Sequence, residues 1–67
     1  MTTKPKNPPR PEINGRYRFR GVLGGERIAD VIYIDTRRGL TEARDVRGGV
    51  FVWSRVAWRC ECVERIG

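Results

Sequence analysis

Glycine-bearing turns cut this chain into short segments, and that punctuation points to a fold made of strands. Asn14-Gly15, Gly24-Gly25, Asp35-Thr36-Arg37-Arg38-Gly39 and Gly48-Gly49 are turn signals, because glycine adopts positive φ freely and Asn or Asp bonds its own loop. The stretches between them repeat every two residues, as a strand does when successive side chains point to opposite faces. From Arg16 to Leu23, Tyr17, Phe19 and Leu23 share one face while Arg16, Arg18 and Arg20 share the other. Ile28 to Ile34 is apolar on both faces, with Ile28, Asp30, Ile32 and Ile34 opposite Ala29, Val31 and Tyr33, the pattern of a central strand. Val50-Phe51-Val52-Trp53 is β-branched or aromatic throughout. Trp58 to Ile66 alternates again and reads as a last strand, with Trp58, Cys60 and Cys62 on one face. Leu40 to Val46 fits two periods: a strand aligns Leu40, Glu42, Arg44 and Val46, a helical turn gathers Leu40, Ala43 and Val46, and the strand is favoured.

The expected fold is therefore all-β, a small five-stranded antiparallel barrel or bent meander over residues 15–67. In strand count and chain length it resembles an SH3-like barrel, although no specific motif carries the likeness, and a shared fold does not transfer function. All four prolines lie within the first eleven residues beside Lys4, Lys6 and Arg10, so residues 1–14 are expected to form a disordered tail. Pro8 to Pro11 also satisfies a loose PxxP spacing. With 67 residues the chain has room for one domain, whose core hides only about 60% of the unfolded surface.

Such small cores are often stapled, but the usual staples are scarce here. The chain has two cysteines, Cys60 and Cys62, and no histidine. Two apart on a strand, they sit about 7 Å apart, at the limit for a disulfide. They supply two of the four ligands of a structural zinc, so only two chains together could close such a site. A reduced, packed thiol pair is the simpler expectation. No stretch approaches the ~18 apolar residues of a membrane span, and the N-terminus lacks the apolar region of a secretory signal, so a cytoplasmic location is expected.

Catalysis is not expected. Without histidine, and with no lysine after Lys6, a nucleophile such as Ser54, Thr36 or Thr41 has only carboxylates as bases. Phosphate-loop, dinucleotide and metalloprotease motifs are absent, and no cofactor is implied. Val63-Glu64-Arg65-Ile66 is similar to the end of the plasmid-borne trimethoprim-resistant dihydrofolate reductases, which build one pore from four short chains. Val50-Phe51-Val52-Trp53 stands where their ligand-facing Val-Gln-Ile-Tyr would be, which removes the polar group that faces the ligands.

Charge points to a binding module. The formal net charge is +6, and every cation after Gly15 is an arginine, whose planar fork suits phosphate and carboxylate. Arg16, Arg18 and Arg20 would line one strand face at intervals of about 7 Å, close to the spacing of successive phosphates on one nucleic-acid strand. Arg37 and Arg38 in the adjacent turn would extend that track, and Tyr33 or Trp53, if exposed, would stack on bases. The plainer alternative is a row of arginines that decorates and protects an edge strand. The expected partners are thus nucleic acid or an acidic protein surface. In the second case the chain is an interaction module, a small regulator or inhibitor of phage or mobile-element type, that binds a host protein or pairs a sheet edge with a second copy.

Overall fold

The computed structural model describes residues 8–21 and 25–67. These form strands β1 (Arg16–Arg20), β2 (Glu26–Asp35), β3 (Leu40–Asp45) and β4 (Val50–Ser54), helix α1 (Arg55–Glu61) and strand β5 (Cys62–Arg65). All strand pairs are antiparallel, in the order β4-β3-β2-β1-β5. The first four strands make a meander, α1 crosses from one edge to the other, and β5 joins beside β1. The sheet is not closed, so of the two expected arrangements the closed barrel is not formed. The segment from Leu40 is a strand. Leu23 and Gly24, expected at the end of the first strand and in the following turn, lie outside the described residues.

The closing element differs from expectation. Trp58 to Ile66 is not one strand, because α1 runs from Arg55 to Glu61 and only Cys62–Arg65 pairs with β1. Ser54 starts the helix, its hydroxyl accepting from the Ala57 amide at 3.1 Å, which satisfies one of the otherwise orphaned N–H groups of the first turn. The reason for the helix is the open sheet itself. An inner face carrying Tyr17, Phe19, Ala29, Val31, Ala43 and Trp53 needs a lid, and α1 lowers Trp58 onto it.

Four aromatic rings carry the core. Phe19 stacks on Trp53 with centroids 4.3 Å apart, and Trp58 meets Phe19 and Tyr17 edge-on at 5.2 and 5.0 Å. Such offset and edge-to-face pairs add about 0.5–1.5 kcal/mol each beyond the area they bury. Gly15 follows from this packing, since a Cβ there would lie 2.7 Å from the Tyr17 hydroxyl oxygen.

Two further expectations are corrected. In β2 the pairing slips between Val31 and Tyr33, so Ile32 is an extra residue and the alternation resets. Ile34 therefore packs against the core although Tyr33 shares neither Val31's face nor its burial. At the N-terminus, residues 8–14 are held to the sheet rather than forming part of a disordered tail. The Trp58 indole N–H donates to the Pro9 carbonyl at 2.8 Å. The Tyr17 hydroxyl donates to the Arg10 carbonyl at 3.1 Å and accepts from the Glu12 amide at 2.9 Å. Asn14, at φ 68°, donates its amide to the Val31 carbonyl.

Candidate anion-binding groove

The outward face of β1 carries Arg16, Arg18 and Arg20, as alternation requires, but antiparallel register brings a carboxylate to each neighbourhood. Arg16 lies opposite Asp30, Arg18 opposite Glu64, and Arg20 opposite Glu26. Arg16 forks onto Asp30 through Nε and Nη2 at 2.7 and 3.0 Å. Arg18 is shared between Glu64 at 2.6 Å and Glu26 at 2.8 Å. The hydrogen bond to Asp30 raises the Arg16 pKa and holds the Asp30 carboxyl below its usual value. The bond to Glu64 likewise raises that of Arg18. Three arginines thus face three carboxylates, and the row is not an open phosphate track. Arg20 makes no ion pair among the described residues.

The aromatic expectations separate. Trp53 is 3% exposed, stacked on Phe19, with its indole N–H donating to Glu61 at 3.1 Å, so it offers no platform for a base. Tyr33 is 56% exposed on the outer face, across from Glu42.

Several of the arginines without an ion pair stand together where the β2–β3 turn, α1 and the N-terminal segment meet, while Arg20, Arg44 and Arg47 are unpaired elsewhere among the described residues. A groove of about 490 Å³ opens there. Its apolar lining comes from Pro11, Ile34, Leu40 and Trp58, and its cations are Arg10, Arg55 and Arg59. Arg37 and Arg38 stand in the exposed turn beside it. Among the described residues Arg10, Arg37 and Arg59 make no ion pair. Asp35 is the one carboxylate lining the groove, and it is engaged: it accepts from the Arg38 amide at 3.1 Å and sits 3.9 Å from the Arg38 guanidinium.

Local structure positions these side chains. Arg55 and Arg59 stand four apart on one helix and so share a face, an arrangement that costs a few tenths of a kcal/mol by like-charge repulsion. The Arg55 guanidinium donates through Nη2 to the Thr36 carbonyl at 3.0 Å, tying the helix start to the turn and leaving its other N–H groups for a ligand. Gly39 makes that approach possible. Its φ is +67°, and a Cβ there would lie 2.9 Å from the Arg55 Nε. Arg10 is delivered by the segment that Tyr17 and Trp58 hold down.

The sequence singles out Arg37 and Arg38 as an extension of the Arg16, Arg18 and Arg20 row, and it does not single out Arg55 and Arg59. The four-residue spacing of Arg55 and Arg59 becomes a signal only if Ser54 is read as a helix cap, a reading the strand-like alternation after it does not suggest. Arg10 stands out in the sequence only as part of the basic N-terminal tail, which would serve as an auxiliary arm toward an anionic surface. The cysteines do not act together: Cys60 is exposed on α1 whereas Cys62 is buried at the start of β5. Burial pushes the Cys62 thiol up to about 11. Among the described residues no group of three potential ligands could hold a metal ion, and no helix is long and apolar enough to cross a membrane. No protein-family model matches this chain, and no curated protein or solved structure matches it significantly.

Proposed function

We propose that the chain binds nucleic acid through its phosphate backbone, with Arg10, Arg37, Arg38, Arg55 and Arg59 as the contacts. The observation that carries this reading is the uneven neutralisation of its arginines. Arg16 and Arg18 of the β1 row are matched by carboxylates, whereas five arginines gather around the groove with Asp35, paired to Arg38, as the one carboxylate among the described residues that line it. An arginine fork matches a phosphate in geometry and charge, and a surface stripped of competing carboxylates is where phosphates displace counterions most favourably. The like-charge pair on α1 has a small cost that an anionic ligand would reverse.

Binding to labelled DNA and RNA, measured by fluorescence anisotropy across a salt series, tests the reading. The expected result is a linear fall of log K with log salt, and a slope reduced by about 0.7 to 0.9 for each of Arg37→Ala and Arg55→Ala. Arg16→Ala should leave the slope unchanged. No binding at about 50 mM salt, or a slope that Arg16→Ala changes and Arg55→Ala does not, would overturn it.

A second reading, strand addition by a protein partner, is favoured by the edge at β4. Val50–Ser54 holds no charge and no proline, and Val50 and Val52 are 49% and 57% exposed. The opposite edge, β5, carries Glu64 and Arg65. Charged edges discourage pairing, and a bare one invites it. Slowed amide hydrogen exchange in β4 on adding a nuclease-treated partner fraction would support this reading. Unchanged exchange in a complex that survives nuclease would count against it.

A further inference from the structure

Resting on the nucleic-acid reading, we infer that the groove between α1 and the β2–β3 turn receives an unstacked base of a single strand, so that this chain prefers single-stranded nucleic acid to a duplex. The argument is the contrast between the groove's floor and its rim. A duplex turns its phosphates outward and keeps its base faces stacked inside. Against such a ligand the rim arginines are useful, while the apolar floor of Pro11, Ile34 and Leu40 would meet water or charged oxygens. A single strand presents both chemistries at once. Its base, out of the stack, offers an apolar face to that floor, and its flanking phosphates then fall at the rim beside Arg10, Arg55 and Arg59.

The dimensions agree with one such group. The groove, at about 490 Å³, falls within the range of roughly 300–1,000 Å³ that small-molecule sites occupy. Its walls are set rather than loose. Trp58 is 4% exposed and anchored through its indole N–H to the Pro9 carbonyl, which fixes the stretch of chain that brings Pro11 and Arg10 to the groove. Arg55 is held by the Thr36 carbonyl. The floor residues Pro11, Ile34 and Leu40 carry no side-chain hydrogen-bonding group, so the floor meets a base by its face rather than by its edge.

The test uses the full chain and three labelled probes of equal length at low salt: an oligothymidylate of about twelve nucleotides, a duplex, and a strand of abasic phosphodiester units. The expected order is the oligothymidylate ahead of both others by several-fold, since laying one base face on the aliphatic floor removes apolar surface from water. Arg59→Ala, a surface change to the best helix former, should weaken oligothymidylate binding several-fold. A duplex or abasic strand that binds as tightly as the oligothymidylate would overturn the inference and leave phosphate binding intact. Failure of all three probes would overturn the phosphate reading itself. Oligothymidylate affinity unmoved by Arg59→Ala would place the contact elsewhere, overturning the inference and removing Arg59 from the phosphate contacts.

Discussion

Arg16 and Asp30 show how a single partner changes what a side chain can do. The fork between them occupies the donors that a phosphate would need. Because the Asp30 carboxyl is held below its ordinary 3.8, chiefly by that hydrogen bond, the pair stabilises the fold above this value. The contribution is lost as pH falls through the lower folded-state value. Asp30→Asn should therefore lower the thermal midpoint at neutral pH by an amount that shrinks to nothing under strongly acidic conditions. A deficit that persists there would mean that Asp30 acts through packing rather than charge. Cys60 and Cys62 give a second contrast at this scale. With Cys62 buried and its thiol pushed up to about 11, a disulfide reagent at mildly alkaline pH should modify Cys60 quickly and Cys62 only on unfolding. Two fast thiols in the native protein would contradict the burial of Cys62.

At the scale of elements, the N-terminal segment shows how much can hang on one hydroxyl. The Tyr17 ring belongs to the core, but its hydroxyl bonds both Arg10 and Glu12. Tyr17→Phe keeps the ring and removes both bonds, at a cost of about 1 kcal/mol. Faster exchange at the Glu12 amide, with the sheet amides unaffected, is the expected result. Uniformly faster exchange would show that the segment is integral to the sheet. This contact also explains why segment 8–14 was invisible in the sequence: its bonds run through the carbonyls of Pro9 and Arg10, and prolines between cations carry no apolar periodicity. The strands were legible because alternation is local. In β1 and β4 the faces follow directly from the residue order. Helix α1 was obscured because Trp58, Cys60 and Cys62 satisfy strand alternation, while Trp58 and Cys62, the two that are buried, also satisfy helical spacing. Only the need to cover an open sheet decides between them. The slip at Ile32 was hidden for a related reason, since a strand apolar on both faces looks the same before and after a one-residue reset. Of the proposed contacts, Arg37 and Arg38 stood out in the sequence as turn arginines, whereas the neutralisation of Arg16 and Arg18 depends on strand register, which no local pattern encodes.

For the whole molecule, two forces respond to salt in opposite directions. The net charge of +6 repels one copy from another, and that repulsion weakens as the Debye length falls from about 10 Å at 0.1 M to about 3 Å at 1 M. Pairing of β4 edges draws on backbone hydrogen bonds and on burying Val50 and Val52, which salt does not screen. In pure solution the strand available to a bare edge is that of a second copy. The solution mass by light scattering should accordingly rise from monomer toward dimer as salt increases, while affinity for nucleic acid falls over the same range. Val52→Lys places a charge in the middle of the edge and faces solvent in the monomer, so it should keep the protein monomeric at all salt concentrations without altering its stability by more than about 0.5 kcal/mol. If the mass grows with salt in Val52→Lys as it does in the parent, association runs through another surface, and the β4 edge is not what joins the copies.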